Sequence, residues 1–216
     1  MDLLDGGAIA DHYRSVADSL VHHLQGRPVI SAGWSVIGPD EVATAAALAL
    51  AVDDGCRWFA VPAQAWRPWS LVRLEPGPGA DSATTATVAL ALLETVPGGD
   101  GVAIADGADG MVVALPAGVP ARSTMDDLAA RAPELATVVA GEDAGRVLVR
   151  ELTGSDPVPV PYSLIDVPDG TGVVLPLHVD EIAAAAAGMP LEFEPDDAAR
   201  RLAARGDLAG RLAGSA

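Results

Sequence analysis

The sequence contains no lysine and no asparagine, and it has a single cysteine, Cys56. Each absence excludes something. Without lysine every one of the thirteen basic residues is an arginine, and no phosphate-cradling loop of the form G-x-x-x-x-G-K-[ST] exists. A lone cysteine makes no intramolecular disulfide, which suits a reducing compartment. A preference for GC-rich codons accounts for the missing lysine and asparagine together. Aromatic residues are scarce, at 4%, while half the chain is hydrophobic, so the core is expected to be built from Ala, Val and Leu. The longest apolar run, residues 43–52, falls far short of the ~20 residues that span a bilayer. The acidic start Met1-Asp2-Leu3-Leu4-Asp5 lacks the basic-then-apolar pattern of a signal peptide. A soluble cytoplasmic protein with no membrane partner is expected.

Positive charge is also in short supply. Thirteen arginines face thirty acidic residues, a formal net charge of −17. Such a surface is well solvated and self-repelling. Nucleic-acid affinity comes chiefly from cations that neutralise phosphates, so composition argues against a nucleic-acid partner.

At 216 residues the chain accommodates one large domain or two small ones. Ile9, Tyr13, Val16, Leu20 and Leu24 recur at helical steps, which predicts an amphipathic helix over 9–25, ended at Gly26-Arg27-Pro28. A short buried strand is expected over 28–34. Gly38-Pro39-Asp40-Glu41 reads as a helix start, because proline fits the first helical position and acids favour the positive end of the dipole. That helix is expected to run to about Val52. Strand candidates at 57–61 and 70–74 flank a loop containing Pro62 and Pro68, and Pro76-Gly77-Pro78-Gly79 is a strong breaker.

Residues 87–116 and 147–176 align without a gap at a separation of sixty, sharing the core D-G-x-x-V-x-L-P. Asp106 matches Asp166, Asp109 matches Asp169, and Gly110 matches Gly170. The pairing reads as a duplicated meander: a strand to Pro97 or Pro157, a second strand, an Asp-Gly turn, and a third strand. A helix trails each copy. One is expected over 123–140, capped by Ser123 and kinked or split at Pro133; the other runs over 180–187. A last helix, 195–205, carries arginines near its C-terminal end. The expected fold class is α+β: an N-terminal helix–strand–helix portion, residues 1–79, then a duplicated portion, 80–216, with repeats at about 87–130 and 147–190. One compact domain is the alternative division. The unit of strand, Asp-Gly turn, V-x-L-P strand and helix resembles the SseB-type domain, a resemblance that assigns no functional residue.

The stretch Gly33-Trp34-Ser35-Val36-Ile37-Gly38 poses a sharper question. A strand, then G-x-S, then a helix is the setting of a nucleophile elbow, with Asp156 and His178 following as acid and base. Against it, Ile37 stands where a second glycine is needed, too few residues precede Ser35, and the repeat explains Asp156 as turn chemistry. Ser35 then reads as a turn residue and Trp34 as a packing anchor. His12 and His23 lie about 16 Å apart along one helix and cannot share an ion. Asp100, Asp106 and Asp109 lack the spacing of a calcium loop, so no metal and no cofactor is expected. Trp58, Phe59, Trp66 and Trp69 supply half the aromatic residues, with Arg57, Arg67 and Arg73 interleaved. Trp58, Trp66, Arg67 and Trp69 are the expected binding residues, since Trp and Arg dominate interface hot spots; core anchors are the competing assignment. The expected function is a non-enzymatic accessory or protein-binding domain, with a partner protein, self-association or a small ligand as its target. A small serine hydrolase using Ser35, Asp156 and His178 is the alternative.

Overall fold

The structure, a computed structural model, describes residues 4–31, 36–38, 41–106, 110–141, 143–167, 170–191 and 193–213. The fold is α+β. The chain forms two compact units, each discontinuous in sequence: Met1–Arg67, Thr153–Pro176 and Phe193–Ala216 make unit 1, while Pro68–Leu152 and Leu177–Glu192 make unit 2. This divides the chain differently from the 1–79 and 80–216 portions expected above. Elements are numbered along the chain.

Unit 1 is organised around helix α1 (Gly6–Leu24). Asp5 caps it, its carboxylate accepting from the Ala8 amide at 2.8 Å, and so satisfies a donor that has no partner within the helix. The predicted stripe of Ile9, Tyr13, Val16, Leu20 and Leu24 is buried. Helix α1 packs on α2 (Ala45–Asp53), α6 (Pro195–Arg205) and α7 (Gly210–Ala213). Helix α2 begins later than predicted, capped by Thr44; Pro39 and Asp40 lie outside the described residues. The strands of unit 1 are β1 (Val29–Ser31), β2 (Val36–Ile37), β3 (Phe59–Pro62) and β9 (Pro157–Pro159). They form an antiparallel sheet in the order β2-β1-β3-β9. A separate hairpin joins β10 (Leu164–Val167) to β11 (Gly170–Val173).

Unit 2 holds the larger sheet, in the order β12-β5-β6-β4-β8-β7. Its strands are β4 (Ser70–Pro76), β5 (Val102–Ala105), β6 (Met111–Leu115), β7 (Ala136–Thr137) and β8 (Val147–Leu152). The edge strand β12 (Leu175–Leu177) spans the Pro176/Leu177 division. Strand β4 pairs antiparallel with both β6 and β8, while β7 runs parallel to β8. Helix α3 (Ser82–Leu93) packs on α5 (Val179–Ala186) and on β4, β6 and β8; α4 (Ala121–Arg131) packs on α3, β4 and β8.

Two expectations change here. Residues 87–93 belong to α3, whereas their counterparts 147–152 form strand β8. Asp81 decides the first case: its carboxylate accepts from the Thr84 amide at 2.8 Å and starts a helix. The likeness between the copies is confined to a hairpin, and the two hairpins differ in register. Ala105 pairs with Met111, enclosing 106–110, but Val167 pairs with Gly170, enclosing only 168–169. Helix α4 ends at Arg131 instead of about 140, and residues 136–137 become strand β7, because Pro133 cannot continue a helical ladder. Among the described residues, no helix is long and apolar enough to cross a membrane.

Candidate functional site

Strand β4 sends Leu71, Arg73 and Glu75 to one face of the unit 2 sheet, as the two-residue period of a strand requires. The register places Arg150 of β8 opposite Arg73 on one side and Val112 of β6 opposite it on the other. Ile104 of β5 pairs in turn with Val112, and Asp106 follows that strand by one turn of the same pleat. The middle of the face is apolar, with Leu71, Val112, Ala114 and Ile104 all buried. Its end carries charge.

These charges form a row. The Arg73 Nη2 group donates to Asp106 Oδ2 at 2.7 Å. Arg73 Nε stands 3.1 Å from Glu75 Oε1 as an ion pair without hydrogen-bond alignment. Arg150 Nη2 donates to the same Glu75 oxygen at 3.2 Å. The Asp106 side chain is only 2% exposed, while that of Arg150 at the other end is 44% exposed. A buried carboxylate is tolerable here because a guanidinium meets it directly. Gly110 leaves the room: a Cβ there would lie 2.8 Å from Asp106 Oδ1. Four charges of alternating sign thus cancel locally, within a chain of net charge −17.

Unit 1 has its own buried polar cluster. His23 Nε2 donates to Asp207 Oδ2 at 2.9 Å, and the Tyr162 hydroxyl donates to Asp207 Oδ1 at 2.8 Å. Burial pushes the Asp207 carboxyl up, but the bond and charge of His23, with the Tyr162 and Ala209 bonds, hold it below its ordinary value. Tyr162 has φ 71°, the only positive value at a non-glycine among the described residues. His12 Nε2 lies 2.9 Å from the Tyr162 carbonyl oxygen and Nδ1 lies 3.3 Å from that of Pro195. Burial lowers the His12 pKa, and the two carbonyls and Asp196 only partly offset it. Arg27 reaches the carbonyls of His23 and Leu212 at 2.9 and 2.8 Å and lies 4.4 Å over the Trp66 ring. Each polar group here ties distant chain segments together, which is the work of a core.

The residues expected to act disperse. Trp66 is 1% exposed and lies beneath Arg27, so it is an anchor and has no surface with which to dock a partner. Trp58 and Trp69 are half-buried and Arg67 is exposed, but Trp69 belongs to unit 2 and the other three to unit 1. Trp34, Ser35 and Asp109 lie outside the described residues. Asp156 Oδ2 accepts from the Thr153 amide at 2.9 Å in a turn. His178 caps α5, its ring accepting from the Asp180 amide while Glu181 accepts from the His178 amide. Both proposed hydrolase partners therefore have local backbone duties. Among the described residues, no three His, Cys, Asp or Glu side chains gather as a metal-binding group. Arg73 and Asp106 are visible in the sequence only as an interleaved cation and a turn acid. The one signal for the row is the alternation Arg73-x-Glu75 at the end of the strand expected over 70–74, which the structure extends to Pro76.

An α+β chain of two units interleaved in sequence, the larger sheet bearing a row of ion pairs, defines the class. No family model matches the chain, and no curated protein matches its sequence. Among solved structures it is similar to one described as the polymerase domain from Mycobacterium tuberculosis Ligase D in complex with DNA, with a TM-score of 0.82 and 20% identity. The match covers 98% of this chain and 93% of that one. At that identity the likeness is one of fold. It nevertheless overturns three expectations: the non-enzymatic accessory or protein-binding domain, the small serine hydrolase, and the exclusion of nucleic acid. Net charge does not by itself exclude such a partner, because a sum carries no information about where the cations stand.

Proposed function

We propose that this chain acts on nucleic acid, with the charged face of the unit 2 sheet meeting the phosphate backbone. The observation that carries the proposal is the whole-length likeness of fold to a DNA-bound polymerase domain. The row from Asp106 to Arg150 supports it: its charges cancel locally and it ends in a half-exposed guanidinium, so a phosphate can approach there without meeting net negative charge. Arginine suits such contacts, since its planar fork presents paired donors to phosphate oxygens. A cytoplasmic location belongs to the same proposal.

Fluorescence anisotropy with labelled single-stranded, duplex and primer–template DNA, and with RNA, tests it. Binding that weakens with added salt is expected, because phosphate contacts release counterions. Arg150→Ala should weaken binding uniformly across sequences and reduce the salt slope by about one. A wild-type chain that binds none of these probes in low salt, and extends no primer with any divalent ion, refutes the proposal.

A further inference from the structure

Polymerases transfer nucleotides with a pair of divalent ions clamped by protein oxygens, so the carboxylates of the unit 2 sheet face are the place to test for such a group. The donor set does not fit one. Asp106 and Glu75 are the two carboxylates of the row, and a guanidinium already stands against each. Arg73 Nη2 is 2.7 Å from Asp106 Oδ2, its Nε is 3.1 Å from Glu75 Oε1, and Arg150 Nη2 is 3.2 Å from that same Glu75 oxygen. A cation entering between Asp106 and Glu75 would meet Arg73 at hydrogen-bond range, and two positive charges a few Å apart repel strongly in a poorly solvated setting. Asp106 is buried and held by this contact, in the space that the missing side chain of Gly110 provides.

We infer that Arg73 occupies the cation position of the Asp106–Glu75 carboxylate pair, so that this cluster engages nucleic acid without a divalent ion. The guanidinium supplies the charge that an ion would otherwise bring, and it does so covalently tethered to β4. Arginine stays protonated at every accessible pH, so the cluster keeps its charge where a metal site would empty. Glu75 is then a positioning residue. It holds Arg73 and Arg150 side by side, cross-strand partners of like charge that would otherwise separate.

This inference rests on the nucleic-acid reading for its function, but its central test does not involve nucleic acid. Mn²⁺ binding to the full chain, followed by the loss of free-ion signal in electron paramagnetic resonance, is compared among wild type, Glu75→Gln, Arg73→Gln and Arg73→Gln/Asp106→Asn. Wild type and Glu75→Gln should bind the same amount, set by the acidic surface. Arg73→Gln should gain one further ion, and Asp106→Asn in that background should abolish the gain. Loss of one bound ion in Glu75→Gln relative to wild type would overturn the inference, as would a folded Arg73→Gln chain that binds no more than wild type. Should Arg73→Gln fail to fold, the comparison of wild type with Glu75→Gln still decides. In a second arm, DNA affinity in EDTA and in Mg²⁺ at matched ionic strength should agree within about twofold, and a tenfold loss in EDTA counts against the inference. A chain that binds no DNA at all refutes the proposed function, while the Mn²⁺ comparison continues to judge the cluster.

Discussion

At the scale of single residues, the polar side chains of this protein are used to hold backbone in place. His12 illustrates the cost. Its ring sits between two carbonyls, but burial outweighs them and lowers its pKa from the ordinary 6.5. The unfolded chain therefore binds the His12 proton at a higher pH than the folded chain does. The stability due to neutral His12 is complete above pH 6.5 and is lost as the pH falls through the folded value. Urea unfolding of the wild type between about pH 7.5 and 5 should show this loss, and His12→Gln should flatten the curve in the same window. An unchanged slope in the variant would assign the acid sensitivity elsewhere. Asp207 responds lower on the scale: its depressed pKa gives stability that is present above the ordinary carboxylate range and disappears as the pH drops through the folded value.

At the scale of elements, the sheet of unit 2 depends on the Arg73–Asp106 contact between β4 and the end of β5. Arg73→Met leaves a carboxylate buried without its cation and should cost about 3 kcal/mol, the lower end of the range for breaking a buried pair, because Arg73 retains some solvent. Replacing both partners, Arg73→Met/Asp106→Leu, should restore most of that loss in denaturant titrations. If the double variant is no better than the single one, the ion pair is not what anchors β5. The elements also show what the sequence could reveal. Helix α1 was legible because one face is apolar and the other wet, so the period is written in Ile9, Tyr13, Val16, Leu20 and Leu24. Helix α3 was not. It is wedged between α5 and the sheet, with Thr85, Ala86, Val88, Ala89 and Leu92 buried around it, and a segment apolar on nearly all sides has no period to read. The charged row was illegible for another reason: Arg73 and Arg150 come from β4 and β8 and Asp106 follows β5, and only the register of β4 with its neighbours makes them adjacent.

At the scale of the whole molecule, the division of the chain matters most. Unit 2 takes most of its residues from one continuous stretch, 68–152, while unit 1 is assembled from three separated segments. The last of them is not decorative. Leu212 is fully buried, its carbonyl accepts from Arg27, and Asp207 receives both His23 and Tyr162. Ending the chain after Arg205 removes all of these partners at once and leaves Arg27 and His23 buried with groups unmet. Hydrogen exchange should then show α1 amides opening far more readily than in the full chain, and protection equal to wild type would show that α1 is secured without residues 206–213. The same layout sets the order of events on the ribosome, where chains emerge N-terminus first. Residues 6–24 are made long before Asp207 and Leu212, whose groups clasp His23 and Arg27. Helix α2 can pack on α1 soon after both are made, whereas the side of α1 that meets α6 and α7 stays uncovered until residues 195–213 follow. Until then one flank of the first helix is an open apolar surface, and its closure is the last step in assembling unit 1 from its three segments.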